Sequence, residues 1–205
     1  GQEKSASVGA PGTRGFLPWM KRMFFGSDGS RIQTDYVGSH MREYDSMLVL
    51  SHFKGHPMGG FGGALKQLSI GCASRYGKAY IHGAGQTENI WNTDQDAFLE
   101  SMADAASAVA KYFHERIAYI NVMKNMSVDC DCVAGAQAPC MGDIGILAAL
   151  DPIAIDQACI DLLYASDDPG KSHLIERIES RRGTHILEAA MWHNFGTREY
   201  DLIEV

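Results

Sequence analysis

Apolar residues along the chain gather in two spacings. Met47–Ser51, Ala118–Met123 and Ile144–Leu150 are short, nearly unbroken apolar runs, the pattern of strands buried in a sheet. Between the first two, Phe98, Leu99, Met102, Ala106, Val109 and Phe113 recur at three- and four-residue steps. This predicts a long helix capped by Thr93 and running to about Glu115, with Asp94, Asp96 and Glu100 near the positive end of its dipole. Asp151–Pro152 is a strong helix start, an N-cap acid before a proline in the first turn. That helix should bury Ile155, Ala158, Cys159 and Leu162 and end near Asp167–Gly170. Gly183 and Gly196 punctuate two further helices, Ser172–Arg182 and Thr184–Phe195. A helix is also expected near Ala64–Cys72, a short strand at Ala79–His82 and an edge strand at Tyr200–Val205.

Strands alternating with helices predict an α/β fold with a mostly parallel sheet flanked by helices. Residues 38–205 form the expected single domain, and residues 1–37 a poorly structured N-terminal segment holding the apolar cluster Phe16–Phe25. With 45% hydrophobic and 21% charged residues among 205, the composition is that of an ordinary globular domain. The net charge of −7 offers nucleic acid and anionic membranes no general attraction. No apolar run is long enough to span a bilayer, no secretory segment is evident, and a cytoplasmic protein is expected.

Chemistry concentrates in Ser51–Lys66, SHFKGHPMGGFGGALK, directly behind the first strand. If the strand persists, His52, Lys54 and His56 share one face. Two imidazoles beside an ammonium could grip an anion, ligate a metal or move protons, and the lysine would keep the imidazoles neutral. Gly59, Gly60, Gly62 and Gly63 would let backbone approach a ligand, and the helix carrying Lys66 would aim N–H groups at an anion. The stretch matches neither the Walker loop nor the dinucleotide fingerprint, and a plain strand-to-helix turn is the competing reading. His82 is expected to face the same pocket or to be structural.

A second cluster, Asp129–Cys140 (DCDCVAGAQAPC), alternates acids and thiols. Cys130, Cys132 and Cys140 are candidate metal ligands, although paired C-x-x-C spacing is absent and a surface loop with incidental thiols is equally consistent. Cys72 and Cys159 read as core residues, and His114, His173, His185 and His193 as solvated helix positions.

The blocks VGSHMREYDSMLVLSHFKGHPMGGFGGALKQLSIGCASRYGKAYIH, INVMKNMSVDCDC and DIGILAALDPIAIDQACIDLLY closely resemble the domain of unknown function 362 family, from about Asp35 onward. Many members carry a ferredoxin-like insert, so the resemblance implies an iron–sulfur protein. This chain lacks the C-x-x-C-x-x-C insert. It also lacks the α/β portion that precedes the Met47 strand in relatives, so an N-terminally short version of the family fold is expected. His56, the glycines through Gly63, Lys66 and His82 are in addition similar to the core block of the lactate racemase family. That likeness implies Lys66 as attachment point of a nickel-pincer nucleotide, His82 as nickel ligand and His56 as a pocket histidine.

The resulting expectation is a metal- or cofactor-binding protein with redox or isomerase chemistry, the metal being an iron–sulfur cluster, nickel or zinc. The alternative is a non-catalytic domain that binds an anion or partner and assembles as a homo-oligomer or with another chain.

Overall fold

The computed structural model of the chain describes residues 5–8, 30–130, 135 and 137–205. The Phe16–Phe25 cluster and Cys132 lie outside these residues. Strand β1 (Ser5–Val8) pairs antiparallel with β2 (Asp35–Gly38). The main sheet holds β3 (Met47–His52), β6 (Ile117–Met123) and β7 (Gly145–Ala149) in the order β3-β6-β7. Between β3 and β6 come a hairpin of β4 (Lys54–His56) and β5 (Gly60–Gly62), then helices α1 (Ala64–Lys66), α2 (Arg75–His82) and α3 (Gln95–Phe113). Helices α4 (Pro152–Ala165), α5 (Lys171–Ser180) and α6 (His185–Met191) follow β7.

The fold is mixed α/β, and only part of the sheet is parallel. β3 runs parallel to β6, but β7 pairs with β6 antiparallel, in register Ile120↔Ala148 and Val122↔Ile146. The connection from β6 to β7 crosses no helix among the described residues, and a parallel return needs such a crossover. Alternation sorts the strands: Val49, Ser51, Tyr119, Asn121 and Met123 are buried, whereas Leu48, Leu50 and Ile146 are exposed. The buried row packs against α1, the turn that follows it and α4, where Leu65, Leu68, Ile153 and Cys159 join the core. β3 is therefore a one-sided strand rather than a wholly buried one.

Several helices start as their sequences dictate. Asp151 caps α4, accepting from the N–H groups of Ile153 at 2.8 Å and Ala154 at 3.0 Å, with Pro152 in the first turn. The cap of α3 is Asp94, one residue after the expected Thr93, whose hydroxyl instead donates to the carbonyl of Ile90. Ala79–His82 is helical, not a strand. Ser74 accepts from the N–H of Gly77 and nucleates α2, whose Tyr76 and Tyr80 pack edge-on against Tyr36. Tyr200–Val205 forms no strand, and the Tyr200 hydroxyl donates to Asp161 at 2.8 Å.

Candidate functional site

Strand β3 does not persist into the motif. It breaks at Phe53, which is fully buried against Phe61, and the chain turns back as the β4–β5 hairpin with His56 opposite Gly60. His52 therefore stays on the sheet's open face in line with Leu48 and Leu50. Its Nε2 donates to the carbonyl of Lys124 at 2.7 Å. His56 lies buried in the hairpin, so the two imidazoles do not share a face. Lys54 lies half-buried on β4 and donates to the carbonyl of His52 at 3.1 Å.

His56 is committed by its own turn. Its Nδ1 accepts from the N–H groups of Met58 at 3.2 Å and Gly59 at 2.9 Å, which fixes the neutral tautomer with the proton on Nε2. Burial drives its pKa down to about 3, helped by the charges of Lys66, His82, Lys54 and Arg177. At neutral pH this ring is a hydrogen-bond donor through Nε2–H, not a base and not a ready metal ligand.

His82 has the complementary arrangement. Its Nδ1 donates to the carbonyl of Lys78 at 2.6 Å, and the ring stacks on Phe98 with centroids 5.0 Å apart. Nε2 therefore carries the lone pair. Burial lowers its pKa against the Lys78 hydrogen bond, and Lys66 and Lys78 push the same way as burial. The ring lines a cleft of about 320 Å³ together with Pro57, Met58, Trp91, Gln95, Phe98 and Arg181. Gln95 ties two walls of that cleft, donating to the carbonyls of Met58 and Arg181, each at 2.8 Å.

The glycines serve packing. An added Cβ at Gly55 would meet the Val128 carbonyl oxygen at 1.9 Å, and one at Gly63 would meet Asp156 Oδ1 at 2.3 Å. Gly60 has φ +81° and abuts Gly183, while Gly59 supplies an N–H to His56. Gly62 lies beside the stem of Lys66, 3.5 Å from Cδ for an added Cβ. The start of α1 is also taken. The Ala64 and Leu65 N–H groups donate to the carboxylate of Asp156 at 2.7 and 3.0 Å, and Asn121 Nδ2 donates to the same group at 2.7 Å. Burial raises Asp156 to about 6 against these donors, and its carboxylate satisfies the N–H groups expected to meet an anion. Beside it, the register partners Ser51 and Asn121 leave Ser51 Oγ and Asn121 Oδ1 buried without hydrogen-bond partners.

The described part of the acid–thiol loop contributes a salt bridge. Asp129 holds Arg177 of α5 through Nε at 2.9 Å and Nη2 at 3.1 Å, and the Gly55 N–H donates to the Ser127 carbonyl at 2.9 Å. Cys130 is buried, and the Cys140 thiol donates to the Met126 carbonyl at 3.4 Å, its pKa raised by burial. Among the described residues, which leave out Cys132, no three His, Cys, Asp or Glu side chains stand together as a metal site.

Besides burial, the charges of Lys66, His82 and Lys54 act on His56, and that of Lys66 acts on His82, while His52 sits on the open face of the sheet. Arg177, Arg181, Gln95 and Asp156 have no sequence signal of their own, since their partners lie far away along the chain.

Residues 21–161 match the family model described as Domain of unknown function (DUF362), well over half of the chain. The chain belongs to the DUF362 family. No curated protein and no solved structure matches it, so the likeness to the lactate racemase core block rests on its short motif alone. In this DUF362 chain the family match covers the sheet, the hairpin and most of α4, and it stops before α5, which supplies Arg177. No helix among the described residues is long and apolar enough to cross a membrane.

Proposed function

We propose that this DUF362 chain binds a small anionic molecule, a carboxylate or phosphate, between the β4–β5 hairpin, α1 and the cleft beside His82. What supports the reading is the field of Lys66 and Lys54 at the buried His56, to which Arg177 adds while paired with Asp129, with Lys66 also acting on His82. Lysines beside a half-buried site attract an anion more strongly than the same charges in open water. The tautomers divide the remaining recognition. His56 Nε2–H donates to the anion, and the His82 Nε2 lone pair accepts from a ligand hydroxyl or N–H. Where the ligand is to be deprotonated, His82, which lines the cleft and keeps its Nε2 lone pair, is the base.

Isothermal titration calorimetry with inorganic phosphate, a 2-hydroxy acid and a nucleoside monophosphate tests the proposal. At least one should bind, with an affinity that falls as salt rises. Lys66→Met should weaken that binding by tenfold or more, about 1.4 kcal/mol. Absence of binding by all three probes, or affinity unchanged in Lys66→Met, would overturn it.

A further inference from the structure

The open face of the main sheet is a continuous apolar surface. Its rows follow the register: Leu48 beside Ala118, then Leu50, Ile120 and Ala148, then His52, Val122 and Ile146. Leu48, Leu50 and Ile146 are 62, 61 and 63% exposed, although they sit within strands rather than in loops. The described helices that pack on the sheet bury its other row, so this face has no layer over it among the described residues.

We infer that this face is the contact between two copies of the chain, packed sheet to sheet about a two-fold axis. Two arguments select a second copy. The first is charge. The chain has 18 basic and 25 acidic residues, yet none falls among the eight positions of this face. A charged partner gains nothing there, whereas an uncharged face meets its own copy without repulsion, and aligned sheets pack naturally at about 10 Å. The second is area. The exposed parts of these side chains amount to roughly 500 Å² per copy, so a two-fold pair buries about 1,000 Å², the size at which a specific interface becomes plausible. A patch of this size is at the upper end for a monomer that uses it for nothing. The inference stands apart from the anion site, which lies on the hairpin and not on this face.

Sedimentation equilibrium at tens of micromolar, with far-ultraviolet circular dichroism as a check on folding, decides the matter. The wild-type chain should sediment as a dimer. Leu50→Lys and Ile146→Lys, singly and together, should weaken self-association at least tenfold with the spectrum unchanged, because both side chains are already exposed in one copy. Leu50→Val should remain dimeric. Should the double variant fail to fold, Leu48→Lys gives the same reading from the neighbouring row. A monomeric wild type, as expected if another occupant covers the face, would overturn the inference. So would a dimer indifferent to these lysines.

Discussion

Asp156 illustrates how one side chain can determine the identity of another far along the chain. Its carboxylate is fully buried and held by two backbone N–H groups and one amide, so it cannot move aside. Gly63 passes so close that any Cβ would overlap both carboxylate oxygens, at 2.3 and 3.0 Å. The backbone at Gly63 is extended, with φ −154°, so the demand for glycine is one of space and not of handedness. Gly63→Ala should therefore cost about 2–4 kcal/mol, through a displaced carboxylate and two orphaned N–H groups. Urea denaturation measures it, and a cost within the surface range of about 0.5 kcal/mol would refute the account.

At the scale of the element, the β4–β5 hairpin depends on His56 for its turn. Removing the imidazole strands the Met58 and Gly59 N–H groups, so His56→Ala should destabilise by roughly 1–3 kcal/mol at neutral pH. The sign of the pH dependence follows from the depressed pKa of about 3. The unfolded chain takes up a proton near the ordinary histidine value of about 6.5, whereas the native chain does not until far lower. The stabilisation is complete above that ordinary value and is lost as pH falls toward about 3. The stability gap between wild type and His56→Ala should accordingly narrow from pH 7 to pH 4 in parallel urea titrations, and a constant gap would contradict it.

The same hairpin shows why some elements were legible in the sequence and others were not. Asp151–Pro152 could be read because an N-cap and its first turn interact within three residues. The strands of the main sheet could be read because they are long enough to be apolar runs. The hairpin strands are three residues each, and four of those six residues are glycine or histidine, so they carry no alternation to detect. Ala79–His82 reads as a strand in the sequence because the start of its helix lies in the Ser74 cap rather than in its own apolar spacing. The cationic cluster was half visible: Lys54, His56, Lys66 and His82 lie close in sequence, but Arg177 is brought in by Asp129 from 48 residues away. The tautomers that give His56 and His82 opposite roles depend on turn geometry that no spacing reveals.

For the molecule as a whole, α3 is the post to which both the segment before β2 and the region around α6 are tied. Asp104 accepts from the N–H groups of Arg31 at 2.7 Å and Ile32 at 2.9 Å on one side, and pairs with His193 Nε2 at 2.7 Å on the other. One turn earlier, Glu100 receives both Arg31 and His185. These histidines, expected on solvated faces, are largely buried because their carboxylate partners lie on another helix. Burial alone would raise the pKa of Glu100, but the hydrogen bonds from Arg31 and His185 outweigh it and hold the pKa below the ordinary value. Its contribution is therefore present above the unfolded carboxylate value and lost as pH falls through the lower native one. Asp104→Ala removes the buried partner of His193 and the acceptor of two backbone N–H groups at once, and should cost about 3–5 kcal/mol. Because the segment at Arg31 and Ile32 and the turn after α6 share that one carboxylate, they should loosen together. Hydrogen-exchange mass spectrometry of Asp104→Ala is expected to show faster exchange both at residues 31–32 and across 185–193, while the hairpin at 54–62 keeps its protection. Loss at only one of the two regions would mean that α3 does not couple them.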